Sequence, residues 1–273
     1  SHSGTLPLVN YAQFGASLAA IPGIGGEAFS LLAVGSLEIN GGGLAAGYGS
    51  VYLLNVSRSG DLGSAPLRIS EGVGGFPSGQ LQCQNSNCKF GRSLASADLD
   101  GDGVPELLVG ADTSGVNDRQ DRGSSVFILT FYDANHLTVR SWTRVREGTA
   151  GLVGTTPTGF GISLAILQGS ASGGVGTVLA VGAYSHDGLS MTLSGVVYLL
   201  KLASNLTVTS YQNVTSDQLG SSFSSGMQFG WNSLVALPDL NFDGFPELGA
   251  GRRPCRGLCV LAGNQADSGA VYV

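Results

Sequence analysis

The sequence predicts an all-β protein assembled from four copies of one small antiparallel sheet. Three observations predict it. Phe-Gly recurs at Phe14, Phe90, Phe160 and Phe229, at spacings of 76, 70 and 69 residues. Each Phe-Gly leads through a short apolar stretch and a loop into a second apolar run ending on glycine: Leu32-Ala-Val-Gly35, Leu107-Leu-Val-Gly110, Leu179-Ala-Val-Gly182 and Leu248-Gly-Ala-Gly251. A third run follows as Ser50-Val-Tyr-Leu-Leu54, Ser125-Val-Phe-Ile-Leu129, Val196-Val-Tyr-Leu-Leu200 and Ala270-Val-Tyr-Val273. The distance from each Phe to the closing glycine is 21, 20, 22 and 22 residues, so the chain carries an internal repeat. Short runs of Val, Leu and Tyr between turn residues read as strands. With a weaker outer strand added, each copy is a four-stranded unit, and such units repeated in series are the blades of a β-propeller.

Taken in order, residues 1–13 precede the first Phe-Gly, and the stretch 5–9 could be an outer strand that closes a ring on the last blade. The blades then span about 14–89, 90–159, 160–228 and 229–273. Outer strands are expected at Leu67-Arg-Ile-Ser-Glu-Gly72 and Trp142-Thr-Arg-Val-Arg-Glu-Gly148. Blade 1 has Ile21-Pro-Gly-Ile-Gly-Gly-Glu27 in its first loop, and Glu27 reads as a solvated turn residue. Its later loop, Asn40-Gly-Gly-Gly-Leu-Ala-Ala-Gly47, is glycine-rich. It lacks Gly-Lys-Ser/Thr and leads into a strand, so it is not a phosphate cradle.

Blade 2 carries Asp98-Leu-Asp-Gly-Asp-Gly-Val-Pro-Glu106 in that first loop. Asp98, Asp100 and Asp102 alternate along a tight turn, and Glu106 follows. Acids so placed converge on one point, where their repulsion is removed by a hard divalent cation; Ca2+ accepts six to eight oxygens in a flexible shell. The expected ligands are the side chains of Asp98, Asp100, Asp102 and Glu106, with the Val104 carbonyl as a further oxygen. An EF-hand would need a Glu where Val109 stands, inside an apolar strand run, so this is a calcium loop of a β-protein. The competing reading is a plain Asp-Gly surface turn. Further along, Asn117-Asp-Arg-Gln-Asp-Arg122 reads as a solvated loop between strands.

Blade 3 runs through Leu167-Gln-Gly-Ser-Ala-Ser-Gly-Gly174 without acids. His186 beside Asp187 invites a catalytic reading, but no serine elbow, lone cysteine or second histidine supports it. Blade 4 restores the acidic loop as Asp239-Leu-Asn-Phe-Asp-Gly-Phe-Pro-Glu247. Asp239, Asn241, Asp243, the Phe245 carbonyl and Glu247 are its expected ligands. Asn241 contributes a neutral oxygen, so this second site should hold calcium more weakly. Arg252, Arg253 and Arg256 form the concentrated positive patch, read as surface charge offset by nearby acids.

Glycine accounts for 44 of 273 residues and proline for 9, a pattern of turn glycines between short strands. A formal charge of −6 with no Lys/Arg stripe argues against nucleic-acid binding. The cysteines form two local pairs, Cys83/Cys88 and Cys255/Cys259, suited to small disulfide loops; zinc would want CxxC spacing and histidines. Sequons stand at Asn55, Asn205 and Asn213, the first two expected on exposed turns just after a third strand. Together these features indicate the secretory pathway. No signal peptide or membrane span is read, and the chain starting at Ser1 is taken as a mature or excised piece.

The order Phe-Gly, acidic loop, Gly-Ala, Gly-x-Val-Tyr resembles the FG-GAP repeat, the blade unit of integrin-α-type β-propellers. The resemblance runs from about 14 to 273, with blade 2 the best match. Blades 1 and 3 keep the framework without the acidic loop. Blade 4 departs at Leu248-Gly-Ala-Gly-Arg-Arg-Pro254, where cations replace the usual turn. The resemblance implies a seven-bladed ring, for which four copies are too few; the alternatives are a closed small ring or part of a larger propeller. It also implies a non-catalytic extracellular role in adhesion or recognition, with a protein or glycan ligand and calcium in a structural role. Two alternatives stand beside it: a glycoprotein subunit of an extracellular filament or coat, partnered by further copies of itself, and a propeller appendage of a secreted enzyme. No membrane insertion is expected.

Overall fold

The computed structural model describes residues 12–24, 29–37, 48–63, 65–81, 88–112, 124–133, 136–153, 159–168, 177–183, 195–215, 218, 229–231, 233–241, 245–251 and 270–271. Among them the secondary structure is β, with no α-helix. Four antiparallel meanders follow the four sequence repeats. The first contains β1 (Phe14–Ile21), β2 (Phe29–Ser36), β3 (Ser50–Ser57) and β4 (Leu67–Ile69). The second contains β5 (Phe90–Ala97), β6 (Glu106–Ala111), β7 (Ser125–Asp133) and β8 (His136–Val145). The third contains β9 (Ser163–Leu167), β10 (Val178–Ala183), β11 (Val196–Leu202) and β12 (Val208–Thr215). The fourth shows β13 (Leu234–Leu237), β14 (Glu247–Ala250) and β15 (Ala270–Val271). The sheets are therefore blade-like units in the predicted order. The stretch 5–9 lies outside the described residues.

The repeated motifs have one structural meaning in each blade. The Phe-Gly glycine adopts a left-handed backbone, with φ of 88°, 92°, 91° and 76° at Gly15, Gly91, Gly161 and Gly230. Only glycine takes that conformation without steric cost. In β1 and β5 it accompanies a register shift against the neighbouring strand, so the aromatic is set apart from the regular ladder. The freed ring then packs edge-on against the aromatic of the third strand. Phe14 meets Tyr52 at 5.6 Å and 69°, Phe90 meets Phe127 at 5.8 Å and 67°, and Phe160 meets Tyr198 at 5.7 Å and 67°. Edge-to-face pairs of this kind add about 0.5–1.5 kcal/mol beyond their buried area.

The chain divides into two compact units, the first comprising residues 1–116 and 123–144, the second 117–122 and 145–273. In the first, Leu31, Ala33 and Leu53 of the first sheet share one buried cluster with Phe90, Val109 and Phe127 of the second. Phe76, 1% exposed, stacks on Phe90 at 5.2 Å and meets Phe127 edge-on at 5.4 Å. Cys88 is buried beside them and is disulfide-bonded. Cys83, Cys255 and Cys259 lie outside the described residues. In the second unit, Leu167, Ala180 and Val197 of the third sheet cluster with Phe229, Leu248 and Ala250 of the fourth.

Within each unit the joint between consecutive blades is the same. The Ser17 hydroxyl donates to the Gly91 carbonyl at 2.6 Å, and the Ser163 hydroxyl donates to the Gly230 carbonyl. Against these carbonyls lie Gly35 and Gly182, the glycines that close the second-strand runs. A Cβ on either would sit far inside van der Waals distance of the next blade's Phe-Gly carbonyl. The connecting turns repeat as well: Val139 N donates to Gly74 O at 2.9 Å, and Val208 N to Ala150 O at 2.7 Å. Each fastens an outer strand to the turn that precedes its own blade's Phe-Gly.

Candidate metal centre

The acidic loop of blade 2 closes the hairpin between β5 and β6, whose last pair is Ala97 with Glu106. Gly101 and Gly103 have φ of 83° and 84°, so the loop folds back sharply at both points. That geometry turns backbone N–H groups inward. Gly101 N donates to Asp98 Oδ1 at 2.8 Å and Gly103 N to Asp98 Oδ2 at 3.0 Å. Asp102 N donates to Asp100 Oδ1 at 3.0 Å, and Val104 N to Asp102 Oδ1 at 2.8 Å. These are Asx-type turns, which suit the Asp-Gly-Asp-Gly sequence.

Glu106 starts the central strand β6 and is 1% exposed. Its Oε2 accepts the Leu99 N–H at 2.8 Å. Asp98, Asp100 and Glu106 each bring one carboxylate oxygen to within 4.8 Å of the others. Oxygens around one Ca2+ at 2.3–2.6 Å can be at most about 5 Å apart, so this trio fits a single coordination sphere. Burial raises the Glu106 carboxyl from 4.5 to about 7, opposed by the Leu99 hydrogen bond and reinforced by repulsion from Asp100, Asp102 and Asp98. A hard cation would cancel that repulsion, and the hydrogen bonds leave carboxylate lone pairs available to it. The residues present therefore fit a calcium ion. Asp98, Asp100 and Glu106 would hold it, supplying charge neutralisation and a cross-link across the loop.

Asp102 stands outside that trio; it is exposed and its Oδ1 is engaged by Val104 N. Val104 is half-buried against the hydrophobic cluster of the first unit. In blade 4, Asp239, Asn241, Phe245 and Glu247 are described and Asp243 is not. Glu247 repeats the Glu106 arrangement: it is 2% exposed and its Oε2 accepts the Leu240 N–H at 2.7 Å. This latch from the buried Glu to the amide seven residues earlier is a feature that the acid count alone does not reveal. The recurring Pro105-Glu106 and Pro246-Glu247 were its signal. Glu27, residues 40–47, residues 117–122, His186, Asp187, Arg252, Arg253 and Arg256 lie outside the described residues.

The sequons are placed differently from expectation in one case. Asn205 lies in the turn between β11 and β12 and is exposed, as anticipated. Asn55 is not on a turn. It sits within β3, paired with Leu31, because the β2–β3 ladder continues through Ser57. Asn213 lies within β12, paired with Tyr198.

Glu71 was not singled out by sequence. Its carboxylate accepts the N–H groups of Gly79, Gln80 and Leu81 and so shapes the segment leading from the first blade to the second. The Glu-Gly pair shared with Glu147-Gly148 could have flagged it. Among the described residues no helix is long and apolar enough to cross a membrane.

Residues 90–128 match the FG-GAP repeat family. The match covers β5, the acidic loop, β6 and the start of β7, which is the blade that resembles the family most closely by its motifs. No curated protein matches the chain.

Proposed function

We propose, from the FG-GAP repeat in blade 2, that the protein is a non-catalytic extracellular propeller module that binds calcium structurally and serves adhesion or recognition. The observation that carries the calcium reading is the convergence of Asp98, Asp100 and buried Glu106 on one small volume. Blade 4, with Asp239, Asn241, Asp243, Phe245 and Glu247, is the second site in this reading. The secretory part of the proposal is supported by the Cys88 disulfide, which persists in oxidising compartments. The adhesive role, with a protein or glycan ligand, rests on the character of integrin-like propellers.

Thermal unfolding with excess Ca2+ and with chelator tests the metal reading. An ion that binds only the folded state stabilises it by about 2.7 kcal/mol at a hundredfold excess over Kd. For a chain of this size that raises Tm by roughly 5–10 °C. Asp100→Ala should remove most of the blade 2 contribution. An unchanged Tm in wild type would remove calcium from the proposal and leave the propeller.

A further inference from the structure

We infer that, of the three sequons, Asn205 is the one the folded protein carries as an N-linked glycan, and that Asn55 stays unmodified in the native molecule. The inference rests on the secretory reading above and adds the acceptor site to it. Asn205-Leu-Thr207 forms the tight turn between β11 and β12, with Leu206 at φ 62°. Its Oδ1 accepts the Thr207 hydroxyl at 2.6 Å and the Thr207 N–H at 3.2 Å. The fold therefore uses the amide oxygen of Asn205 while the residue itself is solvent-exposed. Attachment occurs at the other atom, Nδ2. The hydrogen bonds that shape the turn survive it.

The reaction takes a lipid-linked oligosaccharide pyrophosphate as donor. The Nδ2–C1 bond to the first sugar forms as the C1–O bond to pyrophosphate breaks. The lipid pyrophosphate leaves with the bonding pair, and Nδ2 loses one proton. The product amide keeps Oδ1 as an acceptor, so the Thr207 contacts are preserved.

Asn55 differs at each point. It lies inside β3, its backbone carbonyl accepts Gly63 N at 2.8 Å, and its Oδ1 is enclosed in protein. The sequon hydroxyl, Ser57 Oγ, accepts Asp61 N at 3.0 Å and pairs with Ser59 Oγ at 2.8 Å. Asn55 is half-buried, and a branched sugar on its amide would have to fit beside that enclosed oxygen and along a paired strand. Asn213 is half-buried within β12 and is the intermediate case.

The test is site mapping on the full chain, produced in a eukaryotic secretory host behind a host leader. Routing is then independent of the native address. The secreted fraction is treated with peptide N-glycosidase in heavy-oxygen water, and each sequon peptide is scored for the labelled Asp. The expected result is label at Asn205 in most copies, none at Asn55, and loss of a gel-mobility step in Thr207→Ala but not in Thr207→Ser. Secreted protein unlabelled at Asn205, or labelled at Asn55, overturns the inference. Alkylation of cysteines in the protein from its natural source tests the secretory reading separately, since free thiols there would sink that reading and leave the mapped site standing.

Discussion

Glu106 is where charge and burial conflict most directly, and its behaviour is set by one carboxyl. Its folded-state value is raised from 4.5 to about 7, first by burial and then by Asp100, Asp102 and Asp98. A carboxyl raised in this way is fully accommodated below its unfolded value and penalises the fold once it ionises. Without calcium, stability should fall as pH rises from about 4.5 through 7, by an amount on the order of 3 kcal/mol. Urea melts in chelator between pH 5 and 8 measure this, and a flat profile would show that Glu106 ionises freely. Saturating calcium should abolish the decline, because the ion favours the charged form. Glu106→Gln keeps an oxygen for the Leu99 N–H while removing the charge. It should raise the metal-free Tm at pH 8 and shrink the calcium response at the same pH. A variant that loses stability in both conditions would point to a purely structural latch.

The element that repeats is the joint between blades, and here the chain could be read only partway. Phe-Gly, the second-strand glycine and the third-strand aromatic were legible because each is fixed by local chemistry: a left-handed backbone, a close approach, a ring that needs a ring. What those residues touch was not legible, since the Ser17 to Gly91 bond spans 74 residues. The Arg68 and Arg144 side chains, which donate from Nε to Ser50 and Ser125 at 2.8 Å, are equally invisible to periodicity. Asn55 was misplaced because ladder length depends on partners in β2, not on the sequon. The acidic loop was readable in blade 2, where spacing dictates convergence, while the burial of Glu106 depends on the core beneath it. Gly35→Ala and Gly182→Ala should each strain a joint by about 1–3 kcal/mol or more, as overpacking does. Gly60→Ala is the control, with φ of 87° and open space around a Cβ; its expected cost is only the left-handed penalty of about 1–2 kcal/mol. Losses at Gly35 and Gly182 no larger than at Gly60, measured by denaturant melts, would mean that the joints yield to a Cβ, since neither joint glycine has a left-handed backbone.

At the scale of the whole molecule, each compact unit has its own buried cluster and its own acidic loop. Val104 of the Asp98 loop packs against the cluster that includes Val109 and Phe127, and the Asp239 loop leads into Leu248 and Ala250 of the other. Calcium bound at one loop raises the cost of opening the structure that the loop belongs to, and local opening is what amide hydrogen exchange measures. Removing a ligand in one unit should therefore lower protection there first. With calcium present, Asp98→Ala should speed exchange in β5–β7 while β9–β11 keep wild-type protection. Asp239→Ala should do the reverse, with a smaller effect because Asn241 leaves that loop with less charge to attract the ion. If either variant sped exchange evenly across both units, the chain would be opening as one cooperative body, and calcium at a single blade would govern the stability of all four.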